Sequence, residues 1–400
     1  MKYIIILSVL SSLLNDYFVR NIPMLSKATS LATFLLLFVA VVDILRKKKI
    51  RKYPPIYMII YLNIVFLFIQ SLFIGITSET IKLILYSITI VVLINYLDDK
   101  TISLLYKIIL IMSVILSIDI IIQGINLIHS RINLRNLRHY TLLDKQGYNM
   151  FYSFVIPILI VNIYKKKKII DIFIFILTII ATVFFIQLKS FLYTIPVGLL
   201  LALLTLRIVK PAKILKIGGI AIIIVVMIIN IFPSSIPNQI SSPINYYILN
   251  NKSSLSNDDL RNLDTFIIRR DIWKNAFQEL KKEPILGIGY GNYGKLVENK
   301  NIISDITGIQ YSMPNVTESG LLTFLLEGGL LGFVMQISII FWIVINTANI
   351  RKINKNIVIT TIIYFVFLAS NIVQDNLNYL YWFIIAAQIY NTGIYKKVLD

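Results

Sequence analysis

The chain has 400 residues, of which 57% are hydrophobic and 15% are charged, and its formal net charge is +19. In soluble domains about a quarter of all residues are charged, so this composition excludes an ordinary soluble protein. Long, continuous apolar runs recur along the chain and predict a polytopic helical membrane protein, not a β-barrel with alternating strands. The positive charge then marks cytoplasmic loops and lipid headgroups, and no nucleic acid partner is expected. With no cysteine and two histidines, we expect no disulfide and no histidine-based metal site.

The apolar runs predict an all-α fold with about twelve transmembrane helices. The first run lacks a small-x-small cleavage site and is interpreted as an uncleaved helix. The chain divides into residues 1–232 with nine spans, a large loop at 233–317, and residues 318–400 with three spans. The predicted spans are 3–19, 28–45, 56–76, 80–97, 104–128, 148–164, 169–188, 190–209, 214–232, 322–346, 357–374 and 377–393.

Basic loops predict the orientation of these spans. Four groups of basic residues follow even-numbered spans: RKKKIRK at 46–52, KKKK at 165–168, the set Arg207, Lys210, Lys213 and Lys216, and RKINK at 351–355. The positive-inside rule therefore predicts that both termini are cytoplasmic. The loops at 129–147 and 233–317 then lie on the outer face.

The outer loop at 129–147 is unusual because it is basic. Arg131, Arg135 and Arg138 have the spacing of one helical face. Two interpretations remain: a surface helix that touches anionic headgroups, or a clamp for a pyrophosphate group. Both histidines, His129 and His139, lie in this loop. Each is interpreted either as an interfacial residue or as a proton acceptor.

The segment GYGNYG at 289–294 fits the pattern G-x-G-x-x-G of nucleotide-binding proteins. In those proteins a strand precedes the glycines and a helix follows them. Here a helix precedes them and ends at Glu283-Pro284. The large loop is also on the outer face, where nucleotides are absent, so we expect neither a nucleotide nor another cofactor. The apolar stripe of the preceding helix is formed by Phe266, Arg269, Trp273, Ala276, Phe277 and Leu280.

Arg269 is a charged residue within that apolar stripe, whereas Arg270 falls on the polar face with Lys274 and Lys281. Arg270 is therefore interpreted as a solvated charge. Arg269 has two interpretations, a side chain that snorkels to the membrane surface or an inward-facing ligand for phosphate oxygens.

Two motifs together resemble the O-antigen ligase and Wzy-type polymerase superfamily. The first is Arg269 and Trp273 followed by PILGIGYGNY, which contains Pro284, Gly287, Gly289 and Gly291. The second is ESGLLTFLLEGGLLG, in which Leu322, Glu327, Gly329 and Gly332 are in register with the family pattern. Glu318 stands where the ligases of this family have histidine.

The resemblance implies a GT-C-like membrane glycosyltransferase, with amphipathic helices in its large outer loop, in the bacterial cytoplasmic membrane. Such enzymes use undecaprenyl-pyrophosphate-linked oligosaccharides without a metal. The glutamate at position 318 favours a polymerase for O-antigen or capsular polysaccharide, with an O-antigen ligase as the alternative. A flippase and a chain-length regulator are the expected protein partners. A lipid-linked oligosaccharide transporter or a structural scaffold are the hypotheses from other classes.

The chemistry of transfer requires a base for the acceptor hydroxyl and cations for the leaving pyrophosphate. Glu318 is predicted to be the base, and its alternative role is an acid that stabilises a helix amino terminus. Arg269 is predicted to bind pyrophosphate together with Arg131, Arg135 and Arg138.

Overall fold

A computed structural model describes residues 1–22, 27–47, 54–130, 137, 140–166, 168–185, 191–208, 257–298, 300–303, 310–314, 316–317, 319–350, 353–373 and 378–396. These residues are predominantly helical. The helices are α1 (Lys2–Leu13), α2 (Asn15–Asn21), α3 (Ala28–Lys47), α4 (Pro54–Ile74), α5 (Ser78–Tyr96), α6 (Asp99–His129), α7 (Lys145–Lys166), α8 (Ile169–Ile179) with a π-helical continuation (Ile180–Phe185), α9 (Phe191–Thr205), α10 (Asn257–Leu280), α11 (Tyr293–Val297), α12 (Gly320–Ala348), α13 (Lys355–Val373) and α14 (Tyr379–Lys396).

Six of these helices are long and apolar enough to cross a membrane: Pro55–Ile74, Ser78–Tyr96, Asp99–His129, Gly147–Lys165, Gly320–Ala348 and Lys355–Ile372. The protein is therefore a polytopic helical membrane protein, as its composition predicts. The other described spans also fall on helices, although the first is divided at Leu14 into α1 and α2. The span at 214–232 lies outside the described residues, so the number of twelve stays a prediction.

The bundle is organised around its last two long helices. Helix α13 packs against α9 and α7, and α14 packs against α5 and α13. Almost every described side chain of α14 is buried, including Trp382, which is fully enclosed. By contrast, α4 and α6 expose large apolar side chains such as Leu72, Phe73 and Ile111. Exposed side chains of this kind are those that a hydrocarbon environment accommodates.

The amino-terminal ends of α5, α7, α12 and α14 lie on the same side of the bundle. Thr77, before α5, donates to the carbonyl oxygen of Tyr290 in the large loop, and Asn378, before α14, contacts Met150 of α7. At the opposite side, Asn356 at the start of α13 donates to the carbonyl oxygen of Asp99 at the start of α6. Successive spans that cross a membrane in opposite directions, as predicted, require this grouping of helix ends. Which side faces the cytoplasm stays a prediction.

The large loop contributes a second, smaller core. Ile272 and Ala276 of α10 pack with Tyr293, Leu322 and Leu326, which belong to α11 and α12. The predicted stripe is wrong at Phe277, which is 47% exposed, because the buried face of α10 is rotated toward the fully buried Ile272. A short antiparallel hairpin, β1 (Asn301–Ile303) with β2 (Gln310–Ser312), follows α11.

The carboxylate of Glu279 connects the end of α10 to this hairpin. It accepts from Lys282 at 2.6 Å and forms an ion pair with Lys300 at 3.5 Å. The hydrogen bond from Lys282 and the two positive charges lower the pKa of the Glu279 carboxyl. Because the folded-state pKa is lowered, this contribution to stability is present at neutral pH and is lost as the pH falls through the lowered pKa.

Helix α12 is broken at Gly329, which has φ 62° and ψ −168°. A break inside a transmembrane helix leaves backbone groups without helical partners, and each such group has to be satisfied within the protein. The loop segment 284–289 satisfies them here. Leu330 and Leu331 donate to the carbonyl oxygens of Pro284 and Ile285 at 2.9 and 3.2 Å. In return, the amides of Ile288 and Gly289 donate to the carbonyl oxygens of Leu326 and Glu327 at 3.1 and 2.9 Å.

Two glycines permit this close approach of loop and helix. A Cβ atom on Gly287 would collide with the backbone of Gly329, and a Cβ on Gly329 would collide with the backbone of Ile285. Gln70 of α4 completes the junction, since its amide donates to the carbonyl oxygens of Leu286 and Glu327. The loop segment is thus fixed between α4 and α12.

We expect Gly329→Ala to lower the thermal midpoint of the detergent-solubilised protein more than Gly75→Ala does. Both glycines have positive φ, at 62° and 101°, but a Cβ on Gly75 meets nothing within 4 Å. The backbone strain of about 1–3 kcal/mol is therefore shared, and only Gly329→Ala adds the collision with the loop. Fluorescence-detected melting of the two variants tests this, and equal shifts would contradict the assigned junction.

Candidate functional site

A cavity of about 500 Å³ lies beside the junction, a volume in the range of ligand sites. We call it the loop cavity. Helix α5 contributes Glu79, Lys82, Leu83 and Tyr86 to its walls, and the glycine-rich segment contributes Tyr290, Gly291, Tyr293 and Gly294. The remaining lining residues come from the starts of α7, α12 and α14 and from the segment before α12: Met150, Val316, Thr317, Thr323, Glu327 and Asn378.

Glu327 is the buried carboxylate that organises the glycine-rich segment. Its two oxygens accept from the backbone amides of Gly291 at 3.0 Å and Tyr293 at 3.2 Å. These are amides that a nucleotide-binding loop would direct at phosphate. In this protein they donate to the Glu327 carboxylate, which agrees with the interpretation that the pattern G-x-G-x-x-G does not bind a nucleotide here.

Tyr290 fills the space between the glycine-rich segment and α12. A Cβ atom on Gly328 or Gly332 would meet its hydroxyl oxygen, and its ring packs edge-on against Phe324. Burial raises the pKa of the Tyr290 phenol, and the nearby Glu327 carboxylate raises it further. The glycines at 328 and 332 therefore provide the groove that this tyrosine occupies.

Trp273 connects α10 to the segment before α12. Its indole N–H donates to the carbonyl oxygen of Thr317 at 3.1 Å. Thr317 lines the loop cavity and directly precedes position 318. Helix α12 then begins at Gly320 and is capped by Ser319, whose hydroxyl accepts from the amide of Leu322 at 3.3 Å. Glu318 itself lies outside the described residues.

Arg269 lies one helical turn before Trp273 on α10. It is half-buried, whereas its neighbour Arg270 is exposed. The two adjacent arginines of one helix thus differ in environment as the stripe of α10 predicts. Arg269 is not among the residues that line the loop cavity.

Of the site residues predicted in the loop 129–147, the structure describes His129. It is exposed at the last residue of α6. Arg131, Arg135, Arg138 and His139 lie outside the described residues. Asp119 of α6 accepts from the amide of Leu142 and the hydroxyl of Tyr148, so its carboxylate connects α6 to α7 and to the residues before it.

A smaller cavity, of about 280 Å³, lies at the opposite ends of the helices. Its walls include Lys107, Asn162 and Lys355, and it contains none of the motif residues. Within the described part of the chain, no three carboxylate or histidine side chains cluster as metal ligands would. The loop cavity, which both motifs border, is therefore the candidate site.

Several residues of this site were not indicated by the sequence. Gln70 donates to the carbonyl oxygen of Leu286 in the segment 284–289, and Thr77 donates to that of Tyr290 in the glycine-rich segment. Glu79, Lys82 and Tyr86 form a cavity wall on a helix to which we assigned only a transmembrane role. The spacing of the last three residues, i, i+3 and i+7, is the signal that indicates a shared helical face.

The fold and the cavity define a polytopic membrane protein with a polar site at one end of its helical bundle. Residues 149–337 match the family described as O-antigen ligase. The matched range contains both motifs and the contacts between the segment 284–289 and α12, whereas Gln70 of α4 lies outside it. The match confirms the resemblance and supports a membrane enzyme that processes glycans. No curated protein matches the chain.

We expect Glu327→Gln to destabilise the protein by about 1–3 kcal/mol, because the new amide group has to face one of two backbone N–H donors and leaves it unsatisfied. The thermal midpoint in detergent should fall accordingly. Glu298→Gln, on an exposed glutamate just after α11, is the matched control and should melt like the parent. A Glu327→Gln variant with the parent midpoint would show that the two amide contacts contribute nothing.

Proposed function

We propose that the protein is a polysaccharide polymerase. It transfers the growing glycan from undecaprenyl pyrophosphate onto the next lipid-linked repeat unit, in O-antigen or capsular polysaccharide synthesis. The reaction takes place at the outer face of the bacterial cytoplasmic membrane, and both termini lie in the cytoplasm. A flippase that supplies the repeat units and a chain-length regulator are the partners of this activity.

The observation that carries the proposal is the position of the loop cavity. Both family motifs border it, and the residue directly before Glu318 is one of its lining residues. The hydrogen bond from Trp273 to Thr317 links the helix of Arg269 to the same segment. These contacts support a site in which Arg269 and Glu318 act on one substrate.

The reaction breaks the bond between the anomeric carbon of the donor sugar and the pyrophosphate oxygen. The electron pair leaves with the pyrophosphate, whose developing charge is stabilised by Arg269 together with Arg131, Arg135 and Arg138. The acceptor hydroxyl oxygen bonds to the anomeric carbon, and its proton passes to the Glu318 carboxylate. His129 and His139 are alternative proton acceptors. In the proposed mechanism these arginines stabilise the negative charge of the leaving pyrophosphate, so it includes no metal and no other cofactor.

A glutamate at position 318, where the ligases of the family carry histidine, favours the polymerase. The family description favours the second candidate, an O-antigen ligase that transfers the glycan to lipid A core or another acceptor. A transporter of lipid-linked oligosaccharide is the third, and it predicts no glycosyl transfer at all.

We expect purified protein in liposomes to convert the host's undecaprenyl-pyrophosphate repeat unit into a ladder of longer glycans on a gel. Arg269→Ala should abolish the ladder, because the pyrophosphate loses a charged ligand, whereas Arg270→Ala on the exposed face should retain it. Transfer that appears only after lipid A core is added would establish the ligase instead. Absence of both reactions with the parent protein would favour the transporter.

We expect Glu318→Gln to reduce elongation by about 10²–10⁴-fold, the contribution of a general base, while the protein level in the membrane is unchanged. Glu283→Gln, at an exposed glutamate of the same loop, is the control and should leave chain length unchanged. Glycans of normal length from the Glu318→Gln variant would exclude this residue as the base.

A further inference from the structure

Helix α5 forms one wall of the loop cavity with a single face. Glu79, Lys82, Leu83 and Tyr86 follow one another at i, i+3, i+4 and i+7 and all line the cavity. The first motif and the second motif contribute the neighbouring walls, but neither motif includes a residue of α5. This wall is therefore part of the site without being part of the family pattern.

Lys82 is the basic side chain among the described residues that line the loop cavity. Its ammonium group lies 2.6 Å from the Glu79 carboxylate, and the two side chains are 53% and 48% exposed. An ion pair with this exposure contributes little to stability. Lys82 can therefore exchange Glu79 for a ligand of higher negative charge without destabilising α5.

The wall is held in a fixed position relative to the motifs. The hydroxyl of Thr77 caps the amino terminus of α5 and also donates to the carbonyl oxygen of Tyr290. Gly291 approaches Glu79 so closely that a Cβ atom would lie 2.8 Å from its Cγ. One turn after Lys82, the ring of Tyr86 stacks on the buried Trp382 with 6.2 Å between ring centroids.

We propose that Lys82 binds a phosphate oxygen of the lipid-linked pyrophosphate and that Glu79 is the internal anion that the substrate displaces. The identity of the ligand rests on the proposed function, but the ionic exchange does not depend on glycosyl transfer. Lys82 adds a cation on α5 to the arginines of the proposed mechanism. Its position on α5, opposite the glycine-rich segment, places the bound pyrophosphate between that helix and this segment.

The exchange predicts opposite effects of two substitutions on one helix. Lys82→Gln removes a charged ligand and should weaken the binding of sugar-free undecaprenyl pyrophosphate by about tenfold or more. Glu79→Gln removes the competing anion and should strengthen that binding. Lys82→Arg should retain most of the affinity, since the charge is preserved.

Titration of the detergent-solubilised, full-length protein with undecaprenyl pyrophosphate measures these affinities. Undecaprenyl monophosphate and inorganic pyrophosphate are titrated in parallel, because they separate a requirement for the lipid from a requirement for the second phosphate. Lys295→Gln is the control: this exposed lysine bonds to Asn292 and lies outside the cavity lining. Its affinity should equal that of the parent.

The proposal is overturned if Lys82→Gln binds undecaprenyl pyrophosphate like the parent. It is also overturned if the substitutions at 79 and 82 change the affinity in the same direction, since an ion pair that merely supports α5 would behave in that way. The outcome is distinguishable from failure of the proposed function. If binding depends on Lys82 but no glycan ladder forms, the binding site is retained and the polymerase is rejected. If Lys82→Gln forms a ladder with an unchanged KM, the polymerase is retained and the Lys82 site is rejected.

Discussion

A transmembrane helix that is interrupted has to find new partners for its backbone, and the interruption of α12 at Gly329 is the constraint on which this structure depends. Four backbone hydrogen bonds join the broken helix to the segment 284–289. In hydrocarbon, each unsatisfied backbone group costs several kcal/mol. The loop segment and the helix are therefore stable only together. The segment 284–289, although part of the predicted outer loop, is thus a structural part of the membrane bundle.

The same junction explains why the glycine-rich segment has the appearance of a phosphate site without being one. Its turns bring the amides of Gly291 and Tyr293 to Glu327, and this carboxylate accepts from both. The polar atoms of the segment's backbone are thus directed at the protein itself. Chemistry in the loop cavity therefore has to be performed by side chains, such as those that α5 and the segment before α12 contribute to its walls.

The sequence predicts the helices of this fold well, because apolar length determines where a membrane helix begins and ends. The helix before the glycines is also predicted, since its stripe and the following proline are local signals. The break at Gly329 is not, because a glycine inside a long apolar run is compatible with a continuous helix. Phe277 was assigned wrongly because helical periodicity does not determine which neighbouring surface a stripe meets. The wall on α5 was missed because polar residues at the start of a transmembrane helix have the pattern of ordinary interfacial residues.

The loop cavity is bounded by two kinds of wall. The motif residues are fixed by backbone packing, at positions where even a methyl group would collide. The α5 wall consists of side chains, two of which are about half exposed. In the proposed polymerase, a change of repeat unit can therefore be accommodated by the residues of this helix while the junction at Gly329 is retained. Adaptation to a substrate and preservation of the fold are then carried by different parts of the chain.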